Sequence, residues 1–216
     1  MNKTEFNFSD IETGFVIVRE QGLFKRGHAR PDLFTQQIEW EWQQVIDVLK
    51  KMDIQYGMEI GTYGGGTFYT LCQMSNDNAV LLDLDLHEGQ YDNLEYKERG
   101  LKSLGKGNQT IHVLNNDSQE QLSFGWAANI LGENKLDYLF IDGNHSHDGV
   151  KSDFEMYSPL VKDGGIILFH DIVPHVKGAN VYDVWIEIKN NYWHKEFIEK
   201  PGEQGWAGIG VLKYES

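Results

Sequence analysis

The sequence predicts an α/β protein: a doubly wound, mostly parallel sheet of seven strands, closed by a C-terminal antiparallel hairpin. Three observations predict it. Short apolar runs alternate with stretches of helical periodicity. Most of those runs end directly in an acid or a glycine-dense turn, as strands do when their C-terminal ends share one rim. The last two runs are joined by Pro201-Gly-Glu-Gln-Gly205, which reads as a hairpin turn.

Residues 1–32 read as an N-terminal extension or flap, in which Phe15-Val-Ile-Val18 forms a short strand or an apolar clasp. Pro31-Asp32 has the look of a helix start. Residues 33–52 carry Phe34, Ile38, Trp42, Val45, Ile46 and Leu49 at helical spacing. Trp40 and Trp42 either pack on the sheet or roof a pocket. Met58 and Ile60 form the first strand, which ends in the glycine-dense loop 61–66, and a helix follows from Thr67. Apolar runs at 79–86, 110–114, 136–141 and 165–169 supply the next strands. Between them lie helical stretches at 93–104, 119–131 and 149–160. Residues 181–192 form a last amphipathic helix before the strands at 195–200 and 207–214. Alternation of this kind implies right-handed crossovers, so every parallel strand delivers its C-terminal end to one edge. Glu59, Asp85, Asp117, Asp142 and Asp171 all fall at that edge.

Composition narrows the function. A chain of 216 residues fits one domain, and a formal charge of −14 repels nucleic acid. The one basic cluster, Lys25, Arg26, His28 and Arg30, is either a solvated loop or a flap over an anionic group. Cys72 is the sole cysteine, so no intrachain disulfide forms, and its apolar helical setting predicts burial. No apolar run is long enough to cross a bilayer, and the polar N-terminus lacks a signal-peptide core. The expectation is a cytoplasmic protein with no membrane partner. Nothing in the sequence fixes or excludes a homo-oligomer.

The glycine loop is the first candidate for a cofactor cradle, against the plain alternative of a tight strand-to-helix turn. It is not the dinucleotide fingerprint G-x-G-x-x-G, because Tyr63 stands where the second glycine belongs. That counts against a nicotinamide-dependent oxidoreductase. It is not a P-loop either, because Thr67 replaces the lysine. Glu59-Ile-Gly-Thr-Tyr-Gly-Gly-Gly-Thr67 resembles the first motif of class I S-adenosylmethionine (SAM) methyltransferases. Further along, Phe140-Ile-Asp-Gly-Asn-His-Ser-His147 and Asp163-Gly-Gly-Ile-Ile-Leu-Phe-His-Asp171 resemble a metal-dependent, small-molecule O-methyltransferase group. That group includes the catechol, macrolide-sugar and cephalosporin-pathway enzymes.

The resemblance implies a Rossmann-like, SAM-binding methyltransferase domain at 33–216 that moves a methyl group to a hydroxyl of a small molecule. It also implies a cofactor site of Glu59, Gly61, Tyr63, Gly64, Gly65, Thr67, Asp85, Asp117, Ser118 and Asp142. Asp83 competes with Asp85 for the ribose hydroxyls, and Asp117-Ser118 either touches the adenine or caps the next helix. A divalent metal, Mg or Mn-like, falls to Asp142, His170 and Asp171. His170 departs from the group's usual acid. Either it is a ligand, which shifts preference toward softer metals, or it supports the site from behind or packs in the core. The two aspartates could instead hold helix termini around a metal-free site. His145 matches the group's histidine and is the expected general base, with His147 in reserve. A SAM-fold binding protein without turnover is the competing function.

Overall fold

A computed structural model describes residues 35–86, 94–174 and 180–215. The expected extension at 1–32, with its apolar clasp and basic cluster, lies outside the described residues. Helix α1 (Glu39–Leu49) buries Trp42, Val45, Ile46 and Leu49, the apolar stripe read from the sequence. It begins later than the expected residue 33, because Ile38 is extended at φ −78°, ψ 125°. That extended approach carries Thr35, Gln36 and Gln37 past the strand ends rather than into a helix.

The sheet strands are β1 (Tyr56–Ile60), β2 (Val80–Asp85), β3 (Thr110–Asn115), β4 (Leu136–Ile141), β5 (Val161–His170), β6 (Trp193–Phe197) and β7 (Ile209–Lys213). Their spatial order is β3-β2-β1-β4-β5-β7-β6. All neighbours are parallel except β5 with β7 and β6 with β7. This is the Rossmann-like sheet with a terminal antiparallel hairpin that the alternation predicts. Strand order reverses between β1 and β4, the place where a doubly wound sheet opens its binding crevice.

Helices α2 (Gly66–Met74), α3 (Leu94–Lys102), α4 (Gln121–Leu131), α5 (His147–Tyr157) and α6 (Val181–Ile188) cover the faces. Two cores result, one on each face. The first gathers Trp42, Phe68, Leu71, Leu101, Tyr138 and Phe140, and the second Met58, Leu139, Ile141, Phe154, Phe169 and Trp185. Alternate residues of β4 enter opposite cores, so every residue of that strand is buried. A strand covered on both faces has to read as a continuous apolar run. Cys72 is buried in the first core, and burial pushes its thiol well up. Among the described residues, no helix is long and apolar enough to cross a membrane.

Two boundaries moved for local reasons. Helix α5 starts before the expected residue 149, because Ser146 accepts a hydrogen bond from Gly149 N at 3.1 Å and caps it. It ends before residue 160, where Pro159 lies in a separate 3-10 turn, Ser158–Leu160.

At the β1/β4 junction the ladder runs on past the strands. Asp142 N donates to Ile60 O at 2.8 Å, and Gly61 N donates to Leu84 O at 2.9 Å. Gly61 has φ +88°, and a Cβ there would lie 2.1 Å from the Asp142 carbonyl oxygen. Both the dihedral and the contact exclude any other residue. Gly61→Ala is expected to lose at least ~3 kcal/mol of stability, from left-handed strain plus overpacking. An unchanged urea midpoint would contradict this close approach.

Candidate active site

The edge above β1 is shaped by acids before any ligand arrives. Asp85 Oδ2 accepts from the backbone N–H groups of Thr62 and Tyr63 at 3.0 and 2.8 Å, and so holds the first turn of the glycine loop. Lys97 Nζ stands 3.5 Å from the same oxygen with only 2% of its side chain exposed. Burial lowers the Lys97 pKa, and Asp85 opposes that shift. Asp83 is fully buried and accepts from the Thr62 hydroxyl. Of the two competing acids, only Asp85 reaches solvent, with 18% of its side chain exposed.

Glu59 is completely buried, its Oε1 accepting from the Thr67 hydroxyl. Its Oε2 has no hydrogen-bond partner among the described residues. Burial drives this carboxyl well above the usual range, Thr67 pulls it back, and Asp83, Asp142 and Asp85 push it further up. Gly65, at φ +80°, is the N-cap of α2.

On the other side of the switch point, Asp142, His145, His170 and Asp171 meet. Asp142 Oδ1 lies 3.2 Å from His145 Nε2 and 3.1 Å from His170 Nδ1. Asp142 Oδ2 accepts from Gln37 Nε2 at 3.3 Å. His145 Nδ1 lies 3.2 Å from Asp171 Oδ2, so its ring bridges the two aspartates. His170 Nδ1 is 3.6 Å from Asp171 Oδ1.

Charge follows geometry here. Burial pulls the His170 imidazole down, but Asp142 and Asp171, with a further contribution from Glu41, push it up to about 9. The hydrogen bond to Asp142 raises His145 against its own burial. Burial pushes Asp142 up, and His170 and His145 together bring it below the usual carboxylate range.

One donor atom from each of Asp142, His170 and Asp171 falls within 4.8 Å of the others. Two carboxylates and an imidazole nitrogen form a mixed oxygen and nitrogen donor set suited to a divalent cation, which would take the place of the proton on that nitrogen. The residues present therefore fit a metal.

A third group lies toward β3. Asp117 Oδ1 accepts from Gln119 N at 2.9 Å, closing a local turn ahead of α4, whose N-cap is Glu120. The Ser118 carbonyl accepts from the Tyr157 hydroxyl at 2.7 Å. Asp153, on α5, is fully buried, with Ser118 and Asp117 as its polar neighbours. Burial raises its pKa to about 7, Ser118 partly offsets this and Asp117 adds to it. The folded pKa lies above the unfolded one, so the folded state holds the proton that the unfolded state releases. Stability therefore falls as pH rises from about 4 to about 7 and levels off above. Asp153→Asn is expected to remove that fall and to raise stability at pH 8 by on the order of 2–4 kcal/mol. Parallel stability–pH curves for the two proteins would contradict it.

The glycine loop and the histidine–aspartate cluster share one pocket of about 420 Å³. Gly61, Thr62, Tyr63 and Thr67 line one side, and Asp142, His145, His170 and Asp171 the other. Glu59, Gly64, Gly65, Asp85, Asp117 and Ser118 are not in its lining; Glu59 and Asp85 support the loop from behind. His147 is turned away, paired with Asp148 and with Glu187 of α6. Trp42 packs in the core and donates to the Thr70 hydroxyl, and Trp40 is exposed, so the aromatic wall is instead Trp206.

Thr35, Gln36, Gln37, Trp206 and Lys97 were not legible as site residues. The first three come from the approach to α1, which the periodicity had placed inside the helix, and Trp206 from the hairpin loop, where no pattern marks it. All three described non-glycine residues with positive φ, Tyr63, Asp171 and Ala207, belong to or adjoin this pocket. Such strain persists where surrounding contacts enforce it.

A profile of the family described as "Methyltransferase domain" matches residues 58–172. The protein R132 of Acanthamoeba polyphaga mimivirus, described as uncharacterized, is 31% identical over 130 residues, covering 60% of this chain and 56% of that protein. The chain thus spans about half the length of that relative. Among solved structures, the O-methyltransferase TomG from Streptomyces achromogenes, in complex with SAM, is 18% identical at a TM-score of 0.58, covering 94% of this chain and 98% of TomG. An O-methyltransferase from Bacillus cereus in complex with SAH is 14% identical at a TM-score of 0.57, covering 97% of this chain and 93% of that one. At these identities the structural likeness speaks for the fold.

Proposed function

The chain belongs to the methyltransferase-domain family, and we propose that it is a SAM-dependent methyltransferase whose acceptor is a hydroxyl of a small molecule, with His145 as the base. The observation that carries this reading is the shared pocket, in which the cofactor-loop residues face Asp142, His145, His170 and Asp171. A base and a candidate cation site opposite the glycine loop suit an acceptor that has to be deprotonated. Asp142, His170 and Asp171 would hold a divalent cation, which when bound supplies positive charge that stabilises the acceptor oxyanion.

The chain's own residues do the rest. His145 reaches both aspartates and is 39% exposed, so its ring is open to the pocket. In its neutral tautomer His145 would keep one N–H on an aspartate, and its other nitrogen, facing the acceptor hydroxyl in place of the second aspartate, would take the hydroxyl proton as the O–C bond forms and the S–CH₃ bond breaks, which leaves S-adenosylhomocysteine. Gln37 steadies Asp142 through Oδ2 and leaves Oδ1 turned toward the two histidines. Asp85, through Thr62 and Tyr63, keeps the glycine loop in shape, and Thr67 orients Glu59. The exposed faces of Tyr63 and Trp206 flank the opening, where a flat or ring-shaped acceptor gains stacking area.

The test is S-adenosylhomocysteine formation with a panel of hydroxylated acceptors, with Mn²⁺ and with excess EDTA. Turnover in Mn²⁺ that EDTA abolishes is expected. Turnover indifferent to EDTA would remove the cation, and amine-only methylation would remove the hydroxyl acceptor.

A further inference from the structure

Another buried carboxylate, besides Glu59, lies near the site without lining it. Glu41, in the first turn of α1, is fully buried. Its Oε1 accepts from Glu199 N at 3.0 Å and from Gln204 Nε2 at 2.8 Å, and its Oε2 accepts from Gly208 N at 2.9 Å. A charge that deep is tolerated only when several donors surround it. All three of these donors come from one segment, the loop between β6 and β7.

That loop is also fastened to the candidate cation site. Ala207 N, next to Gly208 N, donates to Asp171 Oδ1 at 2.9 Å. Val173 N and Ile172 N donate to the carbonyls of Ala207 and Gly208 at 3.1 and 3.3 Å. Ala207 and Gly208 both hold left-handed dihedrals, φ +63° and +82°, and Asp171 has φ +62°. Two consecutive N–H groups thus point at two different buried carboxylates, one on α1 and one at the end of β5. They belong to adjacent peptide units joined at the Ala207 Cα, so the left-handed backbone of Ala207 sets the angle between them and a shift of one carries to the other.

We propose that Glu41 is a positioning residue for the cation site: by fixing Gly208 N it sets the Ala207 N–H that orients the Asp171 carboxylate. The proposal rests on the reading of Asp142, His170 and Asp171 as cation ligands. Glu41 touches neither cofactor nor acceptor. Its effect passes through the 207–208 backbone, which also carries Trp206 into the pocket wall.

The experiment titrates Mn²⁺ alone into the wild-type protein, Glu41→Gln and Glu41→Ala, following free Mn²⁺ by electron paramagnetic resonance, with SAM affinity measured by calorimetry beside it. Glu41→Ala is expected to weaken Mn²⁺ binding by about 10–100-fold, the usual effect of losing a group that orients a ligand. SAM affinity should stay within about twofold, because the glycine loop is held by Asp85 and not by Glu41. Glu41→Gln should fall between, since its carbonyl replaces one acceptor while its amide N–H confronts a donor. Glu41→Gln also guards against an alanine variant that fails to fold.

Amide hydrogen exchange gives a second readout that needs no metal. The Ala207 amide bonds to Asp171, not to Glu41, yet its exchange should quicken in Glu41→Gln. Wild-type Mn²⁺ affinity in both variants, or an Ala207 amide as protected as in wild type, would overturn the proposal. A wild-type protein that binds no Mn²⁺ would overturn the cation reading itself, and Ala207 exchange would then still decide whether Glu41 orders Asp171.

Discussion

Asp142→Asn is expected to lower S-adenosylhomocysteine formation by about 10³-fold or more, on the order of 4 kcal/mol of transition-state stabilisation. The size follows from how many groups depend on one carboxylate. Asp142 Oδ1 serves both His145 and His170, and Oδ2 receives Gln37. Asparagine keeps the shape and removes the negative charge that both imidazoles and a cation need. It also turns an amide N–H toward groups that are themselves donors. The fold should survive, because the junction with β1 is made by the Asp142 backbone N–H, not by its side chain. The check is turnover at saturating Mn²⁺ beside a SAM titration, with SAM affinity kept within about tenfold. Turnover within threefold of wild type would remove Asp142 from the machinery.

His145→Ala is expected to reduce kcat by about 10²–10⁴-fold, the usual contribution of a positioned base. The ring bridges Asp142 Oδ1 and Asp171 Oδ2 and is partly open to solvent. Its removal leaves a hole at the pocket mouth rather than in either core, so stability should change by less than about 1 kcal/mol. His147→Ala is the control. That ring is tied to Glu187 on α6, outside the pocket lining, and its loss should leave kcat unchanged. If the two variants exchange these outcomes, the base is His147.

What could be read from the chain, and what could not, divides along physical lines. The β4 run at 136–141 was legible because a strand buried on both faces is mostly apolar, its one acid, Asp137, being paired with the Gln55 and Tyr56 N–H groups. Alternation and handedness implied parallel strands with their C-terminal ends at one edge, and the strand order itself comes from the structure. Asp142 and Asp171 were legible as acids at strand ends, and His145 and His170 only through the resemblance of the motifs around them. Their mutual approach is a property of the sheet order rather than of local sequence.

Asp117 and Asp153 show the limit. The first closes a local turn rather than capping α4, whose N-cap is Glu120. The second is an acid on a helix, and only tertiary structure shows that its carboxyl faces inward. Glu41 escaped for the same reason: it lies in the stretch read as helix from residue 33, and its inward turn is set by donors from a loop some 160 residues away. Gln37 fell inside that same helical reading, and Trp206 lies beside the hairpin turn, where no pattern marks it.

The account depends on a methyl donor and a cation occupying adjacent halves of one crevice. Crystals grown with SAM and Mn²⁺, with the metal located by its anomalous scattering, test that arrangement directly. The expected result is a single manganese bound by Asp142, His170 and Asp171, with the sulfonium methyl directed at the open space beside it and His145 within reach. Manganese held elsewhere, or SAM seated away from the glycine loop at residues 61–67, would contradict the account.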